Sequence, residues 1–137
     1  MDLAEREQRV FALQQELKGR PKYLRWLLVS SGRGLHLLKV EAITWIEAQG
    51  NYVRVHHDTG SHLLRETIGE LESHLNPINF LRIHRSAIAQ IGRIKELLPW
   101  QHGEYRVILE NGTQLTLTRT YRANLQRAIG IPRIVNS

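Results

Sequence analysis

The chain has 137 residues, a formal net charge of +6 and no cysteine. That length suits one hydrophobic core with a tail, and the lack of cysteine excludes disulfides, thiolate metal sites and cysteine nucleophiles. No apolar run reaches the roughly 18 residues that would cross a bilayer, and the N-terminus is too charged for a secretion signal, so the expectation is a soluble, cytoplasmic protein. The charge is uneven: from Phe80 onward nine Arg and Lys face three Glu, whereas Trp26 to Asn79 has four against six acidic residues. A basic second half predicts attraction to a polyanion, with a solvated Arg-rich surface as the bland alternative.

In chain order, Asp2 to Lys18 places Leu3, Val10, Leu13 and Leu17 at helical spacing, and Gly19 and Pro21 end the helix. From Tyr23 the pattern changes to short apolar runs between turn residues. Leu24 to Ser30 reads as a strand, Ser31-Gly32-Arg33-Gly34 as a tight turn and Leu35 to Leu38 as the partner strand. One helical turn over Lys39 to Ala42 precedes a strand over Ile43 to Glu47. After Gln49-Gly50, valines alternate with Tyr52, Arg54 and His56, the pattern of a strand with one buried face. Asp58 to Ser61 then turns the chain into His62 to Arg65.

Thr67-Ile68-Gly69-Glu70 has the spacing of a capping box and starts a two-turn helix that Asn76-Pro77 stops. Phe80 to Ile94, reading FLRIHRSAIAQIGRI, sets Arg82, His84, Arg85 and Arg93 among core residues, a concentrated set of donors for an anion. If Leu81 and Ile83 face the core, Arg82 and His84 share the other face, and Arg85 and Ser86 stand where the strand gives way to a loop. A strand near Ile94 to Leu98 follows. Tyr105 to Glu110 and Thr113 to Leu117 flank Asn111-Gly112, which predicts a type I′ hairpin. A final helix over Tyr121 to Ile129, with Tyr121, Leu125 and Ile129 on one face, has Thr118 or Thr120 as its cap and Arg119 at its start, where free backbone amides favour a phosphate.

For catalysis the residues offer little. The carboxylates are scattered, and His84 with Ser86 lacks a third orienting group. His56-His57 is an adjacent pair whose side chains point to opposite strand faces, and no second ligand set completes a metal site, so the seven histidines read as solvent-exposed. No enzyme activity, cofactor or metal is expected. For nucleic-acid binding, Arg and Asn at loop tips form bidentate bonds to base edges, and hydroxyls and amides hold phosphates. The candidates are Asn51, Arg85, Ser86, Arg119 and Thr120, and a wider set adds Arg82, Arg54 and Arg122.

Glu47-Ala48 and Gly50-Asn51-Tyr52-Val53, then Arg65, a short Leu-containing helix, Phe80-x-Arg82-x-His84-Arg85-Ser86, and Asn111-Gly112 with Thr118-Arg119 before a last helix together resemble the LytTR family of bacterial DNA-binding domains. The resemblance covers about Trp26 to Ile129. It implies a mainly β fold, elongated, of about ten strands in small packed antiparallel sheets, with an N-terminal helix and two short helices. The corresponding divisions are an N-terminal helix or linker over 1–22, the domain over 23–130 and a tail over 131–137. It further implies a transcription regulator that reads successive major grooves of double-stranded DNA with loops, two copies commonly occupying paired direct repeats as a homodimer on DNA. By motif, Asn51, Arg85 and the Arg119-Thr120 pair fall at the bases and Ser86 on a phosphate, with His84 structural.

This chain departs from the family's pattern at Ala87, Gln90 and Thr118-Arg119-Thr120, which leaves the third contact to Arg119 or Arg122. Most members carry a receiver domain before this one. The chain therefore reads as the output half of a two-component response regulator, acting under a sensor kinase, or as a stand-alone regulator. The alternative function is a protein-interaction module whose basic loops meet an acidic partner.

Overall fold

In a strand, residues two apart share a face, so alternate side chains of one sheet can enter two different cores. The computed structural model describes residues 3–9 and 22–130. Among these, ten strands form three antiparallel sheets. β1 (Trp26–Ser31) pairs with β2 (Gly34–Lys39). The middle sheet contains β3 (Ile43–Gln49), β4 (Tyr52–His57), β5 (Gly60–Leu64), β6 (Phe80–His84) and β7 (Ala87–Gln90) in the order β5-β4-β3-β7-β6. The third sheet has β9 (Tyr105–Leu109) between β8 (Ile94–Pro99) and β10 (Gln114–Leu117). Helix α1 (Ile68–His74) joins β5 to β6, and α2 (Arg122–Ile129) follows β10.

The alternation sorts side chains into two cores with the middle sheet between them. Ile43, Ile46, Val53, Val55, Phe80 and Ile88 face α1 and the β1–β2 hairpin, meeting Ile68, Leu71, Leu27 and Val29. Leu81, Ile83, Ala87 and Ala89 face the other way, against Val107, Leu109, Leu115 and Leu117 of the third sheet. Two-sided burial explains why β7 reads almost continuously apolar, with Ala87, Ile88 and Ala89 all buried. Tyr121, Leu125 and Ala128 of the last helical segment close the second core, whereas Ile129 is half exposed, so the helix contacts the sheet one residue earlier than the four-residue spacing predicts.

Thr67 accepts the Glu70 amide at 3.2 Å and caps α1 as expected. Several local expectations change. Residues 3–9 are helical and exposed, and the remainder of the expected N-terminal helix and the tail lie outside the described residues. The Asn111-Gly112 hairpin forms, but not as type I′, because only Gly112 has a positive φ of 91°. Asn111 Oδ1 instead accepts the Thr113 amide at 3.0 Å, and Gly112 donates to the Leu109 carbonyl, which makes a four-residue connection between β9 and β10. Neither Thr118 nor Thr120 caps the last helix with its side chain. Thr118 accepts the Tyr121 amide with its carbonyl, and Arg119–Tyr121 forms a 3-10 turn ahead of α2.

The paired histidines are half-buried rather than solvent-exposed. His56 stacks on Trp45 with ring centroids 4.2 Å apart, and its Nε2 is buried with no hydrogen-bond partner, Glu47 lying 3.8 Å away. His57 stacks on His62, and their Nε2 and Nδ1 atoms are 2.9 Å apart. Burial lowers the pKa of both His56 and His57 from the ordinary 6.5, outweighing the attraction of Glu47 for the first and of Asp58 for the second, while His62 adds to the lowering of His57. The sign follows by linkage. Both rings fold neutral, so their contribution is full above about pH 6.5 and falls as pH drops through 6.5 toward the lower folded values, where the unfolded chain binds protons first. Urea unfolding should therefore show lower stability at pH 5.5 than at pH 7.5, and a His56→Gln, His57→Gln variant should flatten that difference; an unchanged pH dependence in the variant would refute the assignment.

Candidate nucleic-acid interface

Hydrogen-bond register brings three turns to one end of the middle sheet. Gln49 pairs with Tyr52, so Gly50-Asn51 is a two-residue turn, with Gly50 at φ 65°. The β6–β7 turn is Arg85-Ser86, and the Ala48 amide donates to the Ser86 carbonyl at 2.8 Å, which sets the two turns side by side. The third is set beside β6 by the Thr118 amide, which donates to the Ile83 carbonyl at 3.0 Å, so Arg119-Thr120 emerges next to the Arg85 turn. The order along this end is Asn51, Arg85, Arg119. With strands about 4.8 Å apart, the backbone row is roughly 15–20 Å long.

Of the sequence candidates, Asn51, Arg85, Arg119 and Thr120 are exposed, and among the described residues none makes a side-chain hydrogen bond or ion pair. Their donors are available to a ligand. Arg82 is different. Its side chain is only 13% exposed, and it donates to Glu72 Oε1 at 2.9 Å, to the His84 carbonyl at 2.9 Å and to the Arg85 carbonyl. Its own carbonyl accepts from Asn124 Nδ2 at 3.2 Å, and the Tyr121 ring lies 5.7 Å from its guanidinium. Arg82 thus joins α1, the β6–β7 turn and α2 from behind the row. Arg54 is half-buried on β4 and donates to Ser61 Oγ at 3.1 Å.

His84 Nδ1 accepts from the Ser86 amide at 3.1 Å and lies 2.9 Å from the Ser86 hydroxyl. As an acceptor for the amide, Nδ1 carries no proton, so the hydroxyl also donates to it. A hydroxyl held this way closes the turn, and reaching a phosphate would require it to leave His84. Arg122 donates to the Gly103 carbonyl at 3.4 Å, and the Tyr105 ring lies 5.7 Å away.

Arg93, grouped with the other arginines by sequence, lies at the opposite end. It donates to both Asp58 carboxylate oxygens, at 2.6 and 3.0 Å, and to the Glu41 carbonyl, and the Asp58 hydrogen bond raises its pKa. The Asp58 and Glu110 carboxylates thus lie near Arg93, away from the exposed arginines. The sheet end bearing Arg85 and Arg119 is the face open to a polyanion. The β8–β9 turn, a 3-10 turn over Gln101–Gly103 in which His102 has φ 54°, carries no functional motif in the sequence. It packs against Arg119 and Arg122. Gly103 between two strands was its only local signal.

The geometry has counterparts in known proteins. The model of the LytTr DNA-binding domain matches residues 33–130. The chain is 32% identical over 97 residues to "Transcriptional regulatory protein LytR" of Staphylococcus aureus strain N315, covering 71% of this chain and 39% of that one. It is 28% identical over 121 residues to "Sensory transduction protein LytT" of Bacillus anthracis, covering 87% of this chain and 49% of the relative. The chain therefore spans less than half the length of these relatives. The fold matches a solved LytTr DNA-binding domain of a Bacillus cereus response regulator with a TM-score of 0.71 at 19% identity, covering 79% of this chain and 99% of that one. Small antiparallel sheets, three adjoining turns and a family match over residues 33–130 agree: the chain belongs to the LytTR family of DNA-binding domains.

Proposed function

We propose that this chain is a sequence-specific transcription regulator of double-stranded DNA, with Asn51, Arg85 and Arg119 reading base edges. One observation carries the reading: these three side chains share one sheet end, exposed and without protein partners, while Arg82, Arg54 and Arg93 are bonded within the fold. Arg pairs best with guanine O6 and N7, and Asn with adenine N6 and N7. Thr120 and Arg122 hold the DNA backbone beside Arg119. Arg82, Ser86 and His84 hold the Arg85 turn, and Arg54 ties β4 to β5 through Ser61.

A row of roughly 15–20 Å is about half the helical repeat of about 34 Å, so the three turns of one copy span about half a turn of duplex and a paired direct repeat takes two copies. The relatives named LytR and LytT, of whose length the match covers 39% and 49%, support its place as the output part of a cytoplasmic two-component regulator, downstream of a receiver domain and sensor kinase.

Selection of bound duplexes from a random pool, followed by anisotropy titration over a salt series, tests the reading. Affinity for the selected site should fall steeply with salt as counterions are released. Arg85→Ala should lose about 1–3 kcal/mol at that site and relax discrimination at one position, with the fold intact. Retention of duplex binding by neither parent nor variant at low salt, together with binding of an acidic protein, would sink the proposal in favour of an interaction module. Arg82→Met should act through the fold instead. It should lower stability by about 2–3 kcal/mol in urea unfolding, since charge-assisted bonds to Glu72 and two carbonyls disappear, and should weaken cognate binding without changing the salt slope. A reduced slope with unchanged stability would instead make Arg82 a phosphate contact.

A further inference from the structure

The β8–β9 turn runs back to the same sheet end as the three exposed turns, because Tyr105 at the start of β9 pairs with Leu117 at the end of β10. It makes its closest approach at Gly103, whose φ is 78°. A Cβ placed there would stand 3.1 Å from both Cγ and Cδ of Arg119 and 3.4 Å from Nη1 of Arg122. The Arg119 stem thus lies directly on a bare glycine, while its guanidinium remains without a partner among the described residues. Arg122 is held from the same residue through the Gly103 carbonyl. Arg122 therefore has a protein partner, and Arg119 has a floor.

We propose that Gly103 is a positioning residue for DNA reading: the β8–β9 turn fixes the direction in which Arg119 projects, and so sets specificity at the base pairs that Arg119 meets. The inference rests on Arg119 being a base reader. Any side chain at position 103 pushes the Arg119 stem away by a few tenths of an ångström. A bidentate contact is sensitive to such a shift because both donors must align with one base edge. A phosphate contact is far less sensitive, since many orientations of a guanidinium satisfy it.

The test compares Gly103→Ala with Gly112→Ala. Gly112 also has a positive φ, 91°, but a Cβ there has open space, so it carries a similar backbone strain with no neighbour to displace. Arg119→Ala first identifies the base pairs in question, by selection from a pool randomised at each position of the cognate site. Gly103→Ala should then lower discrimination at those base pairs by about 3–10-fold, with the salt slope unchanged, and Gly112→Ala should leave it as in the parent. In an Arg119→Ala background, Gly103→Ala should have no further effect on discrimination.

Should Gly103→Ala fail to fold, Gly103→Asn adds a Cβ with a residue that tolerates positive φ and gives the same readout. The inference is overturned if Arg119→Ala relaxes specificity but the Gly103 variants do not. It is also overturned if they relax it equally in the Arg119→Ala background. If Arg119→Ala itself leaves discrimination intact, the base-reading role of Arg119 falls, and the inference with it.

Discussion

The guanidinium of Arg82 is the contact on which the rest of the site depends. Two-residue turns between antiparallel strands leave carbonyls pointing away from the ladder, and at Arg85-Ser86 the carbonyls of His84 and Arg85 are both taken up by Arg82. The same cation is neutralised by Glu72 on α1. A neutral side chain could satisfy one carbonyl but could not also anchor the turn to a helix by charge. Mostly removed from water, Arg82 has no inexpensive alternative to these partners, which makes the arrangement rigid as well as stable. His84 secures the other side of the turn by accepting the Ser86 amide. Arg85 is thus mounted on a turn whose polar groups are largely occupied, and its side chain alone is left to a ligand.

A second constraint comes from burial on both faces of the middle sheet. With the β1–β2 hairpin and α1 on one face and the three-stranded sheet on the other, polar function is pushed to the strand ends. The ends then differ in charge: Asp58 and Glu110 offset Arg93 at one, and Arg85 and Arg119 stand without ion-pair partners among the described residues at the other. A polyanion is attracted to the end where the arginines are not offset by carboxylates.

What the sequence made legible, and what it did not, divides along local against long-range information. The hairpins, the Thr67 cap and the buried pattern of β6 depend on neighbours within a few residues, and all could be read directly. Arg82, Arg85 and Arg93 look alike in sequence; only the return of β7 along the sheet carries Arg93 to the opposite end and into the Asp58 carboxylate. The stretch Ala87–Gln90 lacked the β-branched density of a strand because small residues fit where β3, β6 and the third sheet crowd it. Asn111-Gly112 signalled a hairpin but not its loop length, since an Asx turn uses the same two residues as a type I′ turn. The histidine pair was misread as exposed because stacking on Trp45 and on His62 depends on cross-strand register. Gly103 gave no signal beyond a turn, as its meaning lies in a side chain sixteen positions later.

Reading DNA with loops instead of a helix usually carries an entropic disadvantage, since loops must be ordered on binding. Here the disadvantage is confined to the side chains. Gly50-Asn51 and Arg85-Ser86 are two-residue turns held by ladder bonds on both sides, and Arg119 follows an amide bonded to β6. Their backbones are ordered before binding, so only a few rotatable side chains lose freedom, at about 0.5–1.5 kcal/mol each. A β scaffold that fixes loop backbones this tightly presents a preset row of donors. Each donor stands on a separate turn, and the bonds from Ala48 to Ser86 and from Thr118 to Ile83 fix the spacing between them.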